Sequence, residues 1–174
     1  MKKQCSVLTF EIICTFFIIA LGVLLHFTFE WSNNNLFIGT FSAVNESTWE
    51  HLKLLYFPML LTTIIGSFYF KGDIPNYLCA KTQGIFLSIF FMIVSFYTYT
   101  GVLGTNFASL NILIFIISVI LGEYYSYKQI KSNSFCNNLF AIISLLILGL
   151  CFIYFTFFPP HIGLFRDPTG SYGI

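Results

Sequence analysis

Five long apolar segments constrain the fold of this chain more than any other feature. They cover residues 7–29, 52–70, 82–100, 107–125 and 138–158. At 1.5 Å of rise per helical residue, each is long enough to cross a hydrocarbon core of roughly 30 Å. Lipid offers the backbone no hydrogen-bond partners, so spanning segments fold as helices or join closed barrels. We therefore predict an all-α integral membrane bundle of five transmembrane helices.

The composition agrees with a membrane environment. Charged residues make up only 9% of the 174 residues, and hydrophobic residues make up 57%. A soluble domain carries about a quarter charged residues, so we expect membrane lipid as the solvent and partner, and the cell membrane as the location. The net charge of +1 lacks the basic excess typical of nucleic-acid-binding proteins. We therefore expect no nucleic-acid partner.

The basic residues predict the orientation of the bundle. With a cytoplasmic N-terminus, only Lys53 and Arg166 fall outside. The other basic residues fall inside, namely Lys2, Lys3, Lys71, Lys81, Lys128 and Lys131. Because cytoplasmic loops carry an excess of Lys and Arg, we predict the N-terminus in and the C-terminus out. The chain then divides into a transmembrane domain, 1–158, and an ordered external tail, 159–174, folded onto the outer face.

The cysteines are expected to be unpaired. Cys5, Cys79 and Cys136 map to the cytoplasmic side, where disulfides are rare. Cys14 and Cys151 lie within spans. No CxxC pattern indicates a thiolate metal site.

This topology gathers polar residues at one membrane face. All three histidines and most of the carboxylates reach the outer interface, together with two basic residues. The set is His26, Glu30, Glu46, Glu50, His51, Lys53, His161, Arg166 and Asp167. The clustering indicates a functional site at the outer face.

The first motif at this face is His26-x-x-x-Glu30. Residues four apart share one face of a helix, and Glu11, Thr15 and Gly22 fall on the same stripe. In lipid, such a stripe should face the bundle interior. The motif supports either a metal or proton site, or an interfacial histidine hydrogen-bonded to its own glutamate.

The second motif, NESTWEHLK at 45–53, opens the second span. Ser47 and Glu50 have the spacing of a capping box, in which Ser47 is the N-cap and the Glu50 carboxylate returns to a backbone N–H. That interpretation gives Glu50 a structural role. His51 shares a helical face with Pro58, whose kink frees backbone carbonyls within a bundle. We therefore favour His51 as a member of the site.

The third motif is the tail, PPHIGLFRDPTGSYGI. Asp167, Pro168 and Gly170 match the preferred positions of a type I turn. The apolar residues between His161 and Arg166 can press the tail onto the outer face, which would bring His161, Arg166 and Asp167 near the other motifs. The alternative is a surface turn in which Arg166 satisfies an outer carboxylate.

Together, HFTFEWSNNN at 26–35, NESTWEHLK and the tail resemble an uncharacterised bacterial family of small multi-pass membrane proteins. In that family the patterns HF-x-[FY]-EWSGNN, NES-x-WEHLK and PPH-x-P-[LIF]-F-x-DP-x-TG-x-YG recur. This chain has Ser32-Asn33 in place of Ser-Gly, Gly163 in place of Pro, and one residue fewer near Thr169. The resemblance implies that the three motifs form one functional set, and it implies no reaction.

Imidazoles and carboxylates at one interface are the ligand types of a divalent metal such as Zn²⁺, Mn²⁺ or Fe²⁺. The predicted metal ligands are His26, Glu30, His51 and His161. The carboxylates predicted to act as a fourth ligand, a supporting hydrogen-bond partner or a general base are Glu46, Glu50 and Asp167. The metal would activate water against a lipid, peptide or small-molecule ligand at the outer face. The protein would then be a metal-dependent membrane hydrolase or a metal-binding protein.

Two other function classes remain open. A small-molecule binding or transport subunit could use the intramembrane carboxylates Glu11 and Glu123, with Asn111, Ser118 and Gly122 on one stripe of the fourth span. A non-catalytic partner protein would use the outer motifs to dock another membrane protein. Metal content separates the first class from both alternatives, and co-purifying partners would indicate the last.

We expect a reporter fused after Ile174 to be external and a reporter inserted at 128–131 to be cytoplasmic, because basic residues keep their loops inside. Paired alkaline phosphatase and fluorescent-protein fusions in a bacterial host measure both positions. A cytoplasmic C-terminus would contradict the predicted orientation and the outer placement of the site.

Overall fold

The computed structural model describes residues 2–70, 72–132 and 137–174. The helices in these ranges are α1 (Lys2–Trp31), α2 (Leu36–Gly39), α3 (Thr48–Phe70), α4 (Tyr77–Leu103), α5 (Ala108–Ser132) and α6 (Asn138–Phe157). One turn of 3₁₀ helix, Gly163–Phe165, follows in the tail. These ranges contain no β-strand, although an isolated bridge joins Arg166 to Tyr172.

Five of these helices, α1, α3, α4, α5 and α6, are long and apolar enough to cross a membrane. This confirms the prediction of an all-α chain with five apolar helices and indicates a multi-pass membrane protein. Several helices run past the predicted segments. For example, α4 begins at Tyr77 rather than at residue 82, and α5 ends at Ser132 rather than at residue 125. Helical hydrogen bonding continues into the polar ends, where the apolar pattern has already stopped.

α3 lies at the centre of the bundle. It packs against α1, α4, α6 and the 3₁₀ helix, and several of its apolar side chains are completely buried, including Leu52, Leu55 and Met59. The outward faces of the other helices carry exposed aromatic side chains such as Phe16, which is 71% exposed. Exposed apolar faces around a buried core are expected where lipid is the solvent.

Small residues bring α4 and α5 close together. A Cβ added to Gly84 would lie 2.6 Å from the Gly122 carbonyl oxygen, which leaves no room for a side chain. Nearby, Ser88 Oγ donates to the Ser118 carbonyl at 2.8 Å, and Ser126 Oγ donates to the Gly122 carbonyl at 2.8 Å. Small residues at helix interfaces allow such close backbone approach in membranes.

Two lysines that the sequence places at the membrane faces are completely buried, Lys53 and Lys81. Lys53 Nζ lies 2.5 Å from Glu50 Oε2. Lys81 Nζ lies 2.8 Å from Glu11 Oε2 and 2.6 Å from Glu123 Oε2. Neither lysine is a free surface charge, so the predicted orientation of the bundle in the membrane depends on the remaining basic residues. One of these, Lys71, lies outside the described ranges.

Cys79 is disulfide-bonded, so the expectation of an unpaired thiol is wrong at this position. Cys14 and Cys151 are free, whereas the side chains of Cys5 and Cys136 are outside the described part of the chain. A disulfide requires the two Cβ atoms to approach within about 4 Å, and sequence spacing does not reveal such an approach.

We expect Gly84→Ala to destabilise the protein by about 1–3 kcal/mol, because the added methyl group forces the α4 and α5 backbones apart. The measurement is thermal unfolding of the purified protein in detergent. Gly101→Ala is the matched control in the same helix, since a Cβ there meets no atom within 4 Å. Equal unfolding temperatures for the two variants would contradict the close packing of α4 on α5.

Candidate functional site

The end of α1 and the first turn of α3 bring two histidines together. His26 lies near the end of α1, and His51 lies near the start of α3. The intervening loop, which contains α2, returns the chain so that the two ring centroids are 5.3 Å apart. The predicted approach of His26 and His51 is therefore present in the structure.

Short polar residues hold this loop against α1. Asn33 and Asn34 adopt left-handed φ angles of 55° and 57°, which asparagine tolerates better than most residues. Asn35 then caps α2 by accepting from the backbone N–H of Phe37 at 2.9 Å. Ser42 Oγ donates to the Leu25 carbonyl of α1 at 2.5 Å. These contacts fix the path by which the chain re-enters the bundle.

Glu46 lies between the two histidines. Its Oε1 is 3.5 Å from His26 Nε2, and its Oε2 is 3.4 Å from His51 Nε2. One ligand atom from each of the three residues lies within 4.8 Å of the other two. We call His26, Glu46 and His51 the His–Glu cluster.

The backbone of α3 orients the His51 ring. His51 Nδ1 is 2.8 Å from the Ser47 carbonyl oxygen, so the geometry assigns the Nδ1 proton to that hydrogen bond. His51 Nε2 is then left to face Glu46. Ser47 also caps α3, because its Oγ accepts from the backbone N–H of Glu50 at 3.4 Å.

The C-terminal tail holds Glu46 by its backbone. Asp167 Oδ2 accepts from the Glu46 N–H at 2.8 Å. Asp167 Oδ1 accepts from the Thr169 N–H at 2.8 Å and from Thr169 Oγ1 at 2.6 Å. The turn is closed by the Gly170 N–H, which donates to the Asp167 carbonyl at 2.8 Å. Asp167 thus joins the tail to the loop that carries Glu46.

The carboxylates of Glu46 and Asp167 both have lowered pKa values. Interaction with the His51 ring lowers the pKa of Glu46 by more than its partial burial raises it, and His26 acts in the same direction. Burial raises the pKa of Asp167, but hydrogen bonds from Thr169 and Glu46 outweigh that effect. Both groups are therefore ionised at neutral pH.

Further contacts anchor the tail. The buried ring of Phe165 packs against Trp49, with ring centroids 4.7 Å apart, and against Phe155, with centroids 5.4 Å apart. Asn45 Nδ2 donates to the Gly173 carbonyl at 2.9 Å. Apolar packing and hydrogen bonds thus hold the tail against the first turn of α3 and the end of α6.

Glu50 is committed to a buried polar network rather than to the cluster. Its carboxylate pairs with Lys53 and also accepts from the Val44 N–H at 3.1 Å and from Thr156 Oγ1 at 3.1 Å. Lys53 Nζ donates in addition to the Gly39 carbonyl and to Thr156 Oγ1, both at 2.8 Å. The Glu50 carboxylate therefore returns to Val44, and not to its own N-cap residue as the capping box predicts.

The structure does not bring Glu30 or His161 into the cluster. Glu30 lies at the exposed end of α1, one turn beyond His26. His161 is exposed and stacks on Tyr172, with ring centroids 4.6 Å apart. Glu46, which the sequence predicted as a fourth ligand, a supporting hydrogen-bond partner or a general base, is the residue that faces both histidines. Its position in a loop, without helical periodicity, gave no signal that could have ranked it above Glu30.

A cavity of about 500 Å³ opens beside the cluster. Glu46 and Thr48 line one side, and Arg166 and Asp167 of the tail line another. The rest of the lining comes from α4, the loop after it and the tail, namely Phe96, Tyr97, Thr100, Gly104, Thr105, Asn106, Gly163 and Pro168. Glu46 is the residue shared by the cavity and the His–Glu cluster.

The chain belongs to a family of unknown function, DUF6512, which it matches over residues 1–174. This membership agrees with the resemblance to an uncharacterised family, and it supplies no activity or ligand. Comparison with curated proteins and with solved structures gives no match.

We expect Asp167→Asn to lower the unfolding temperature at neutral pH, because an amide replaces the ionised acceptor of the Glu46 and Thr169 hydrogen bonds. The carboxylate's contribution is fully present above the pKa of an unfolded aspartate, about 3.9. It is lost as the pH falls through the lower folded-state pKa. Thermal unfolding across this range should therefore show the difference from wild type shrinking in acid.

Glu30→Gln, which removes an exposed carboxylate, is the control for this measurement. It should leave the unfolding temperature close to that of the wild type across the same pH range. A difference for Asp167→Asn that stays constant in acid would contradict a role for the ionised carboxylate.

Proposed function

We propose that this protein is a multi-pass membrane protein that binds one divalent transition-metal ion at the His–Glu cluster. Two imidazoles and one carboxylate are a ligand set used by Zn²⁺ in catalytic sites. The observation that carries the proposal is the convergence of His26, Glu46 and His51, with ligand atoms within 4.8 Å of one another.

The distances between the ligand atoms of the cluster leave room for a shared ion. A charge-assisted N–H···O bond is about 2.7–2.9 Å long, whereas the Glu46 oxygens are 3.5 and 3.4 Å from the two Nε2 atoms. Ligands at about 2.0–2.1 Å from a tetrahedral Zn²⁺ lie roughly 3.4 Å from each other. The two observed separations, which run to different Glu46 oxygens, are close to that length, and one ligand atom from each residue lies within 4.8 Å of the other two.

The orientation of His51 also supports coordination through Nε2. A metal-binding histidine commonly donates its other ring N–H to a carboxylate or a backbone carbonyl, which fixes the tautomer and makes the ligand more basic. The Ser47 carbonyl occupies that position beside His51 Nδ1 at 2.8 Å. His26 Nδ1 is buried without a hydrogen-bond partner among the described residues, so packing against His51 and Phe27 holds this ring instead.

Three protein ligands leave a fourth position for water or substrate, as in catalytic zinc sites. Since Glu46 lines both the cluster and the adjoining cavity, a ligand in the cavity would lie beside the ion. The exposed Arg166 in the same cavity suits a polar or anionic group. These features favour a hydrolytic role, in which the metal supplies an activated water and the cavity holds the ligand.

We expect the purified protein, loaded with Zn²⁺ and then desalted, to retain about one ion per chain. His51→Ala and His26→Ala should each weaken zinc affinity by more than about tenfold, because each removes a direct ligand. Elemental analysis and competition with a zinc-binding dye measure content and affinity.

His161→Ala is the matched control, because His161 lies outside the cluster and stacks on Tyr172. It should bind zinc as the wild type does. A wild-type protein that retains no zinc, nickel, manganese or iron after loading would overturn the proposal. An equal loss of affinity in His161→Ala would place the ion elsewhere.

A further inference from the structure

Three charged side chains from three helices meet inside the bundle, away from the His–Glu cluster. Lys81 Nζ of α4 donates to Glu11 Oε2 of α1 at 2.8 Å and to Glu123 Oε2 of α5 at 2.6 Å. The Lys81 side chain is completely buried, and neither carboxylate side chain is more than 4% exposed. Glu11 precedes His26 by about 22 Å along α1. We call these residues the Glu–Lys–Glu triad.

The charges of the triad do not balance when both carboxylates are ionised. Two negative charges would then face one ammonium, which leaves a net negative charge inside the membrane. An uncompensated buried charge is costly, and two carboxylates at one site rarely ionise together. A single proton on either Glu11 or Glu123 makes the triad neutral.

The carboxylate oxygens that do not contact Lys81 support the presence of one proton in the triad. Each glutamate uses Oε2 to accept from Lys81, while Glu11 Oε1 and Glu123 Oε1 are buried without a hydrogen-bond partner among the described residues. The hydroxyl of Tyr77, which is 3% exposed, is likewise unpartnered in this part of the chain. Acceptor oxygens without donors are the positions at which a proton is expected to bind.

The surroundings contain few other groups that could supply the missing charge. Among the described residues, Tyr77 of α4 and Cys14 of α1 are the titratable neighbours that interact with the triad. Both are neutral as a phenol and a thiol. The neighbouring part of α3 contributes Gly66, which lies against the Tyr77 hydroxyl and carries no charge. In the part of the chain that the structure describes, the compensating charge therefore comes from within the triad.

We propose that the triad is an intramembrane proton-binding site, in which Glu11 and Glu123 hold one exchangeable proton between them beside Lys81. On release, the carboxyl O–H bond breaks, the proton passes to water, and the newly formed carboxylate joins the other one beside the Lys81 ammonium. Uptake reverses this step. The path is short, because Glu11 lies about 6 Å along α1 from Val7, where the first apolar segment of the sequence begins.

Infrared spectroscopy of the full-length protein in lipid nanodiscs tests the proposal. The wild type should show one protonated carboxyl at neutral pH, and its carbonyl band should disappear as the pH is raised. Transfer to D₂O should shift the band, because the proton exchanges. Glu11→Gln and Glu123→Gln should each remove the band, since the remaining carboxylate then pairs one to one with Lys81.

Two further variants separate the proposal from a purely structural triad. Lys81→Met removes the ammonium and should increase the protonated carboxyl signal, whereas Glu30→Gln, an exposed carboxylate, should leave it unchanged. Absence of the wild-type band at neutral pH would overturn the proposal, as would persistence of the band in both glutamine variants. A band that does not shift in D₂O would show a permanently buried proton and would also overturn it.

Discussion

A lysine ammonium with no exposed surface must find its partners inside the protein, and the described part of the chain buries two such lysines. Lys53 binds a carboxylate of α3, a carbonyl of α2 and a hydroxyl of α6. Lys81, on α4, binds carboxylates of α1 and α5. Together, the two lysines and their partners come from all six of the described α-helices, α1 to α6. Lipid tails are as apolar as leucine, so apolar contact alone selects neighbouring helices poorly. The buried ion pairs therefore specify the arrangement on which the site depends.

The short segment around the start of α3 divides structural and chemical roles among adjacent residues. The Glu50 carboxylate forms an ion pair with Lys53, whereas Ser47 caps the helix and orients the His51 ring. Glu46 is held by its backbone, so its carboxylate is left to face the two histidines. Because each polar residue in the segment has a separate task, the cluster keeps an ionised carboxylate beside two imidazoles without disturbing the ion pair beneath it.

Hydropathy was sufficient to predict five apolar helices, because length and composition decide whether a segment can cross a membrane. The approach of His26 and His51 followed from the connection of consecutive helices by one loop. The carboxylate that faces both histidines did not follow from the sequence. Glu30 shares a helical face with His26, but it lies at the exposed end of α1, whereas Glu46 comes from an aperiodic loop. The partners of Lys81 depend on which distant helices are neighbours, and hydropathy carries no such information.

The bond between Asp167 and the Glu46 backbone has a consequence for how this protein can change over evolutionary time. Since the tail recognises the main chain of residue 46, the position of that residue is independent of the side chain it carries. A cysteine or histidine there would be presented to the same point between His26 and His51. The chemical group that residue 46 presents to the two histidines can therefore change by single substitutions while the surrounding scaffold is retained.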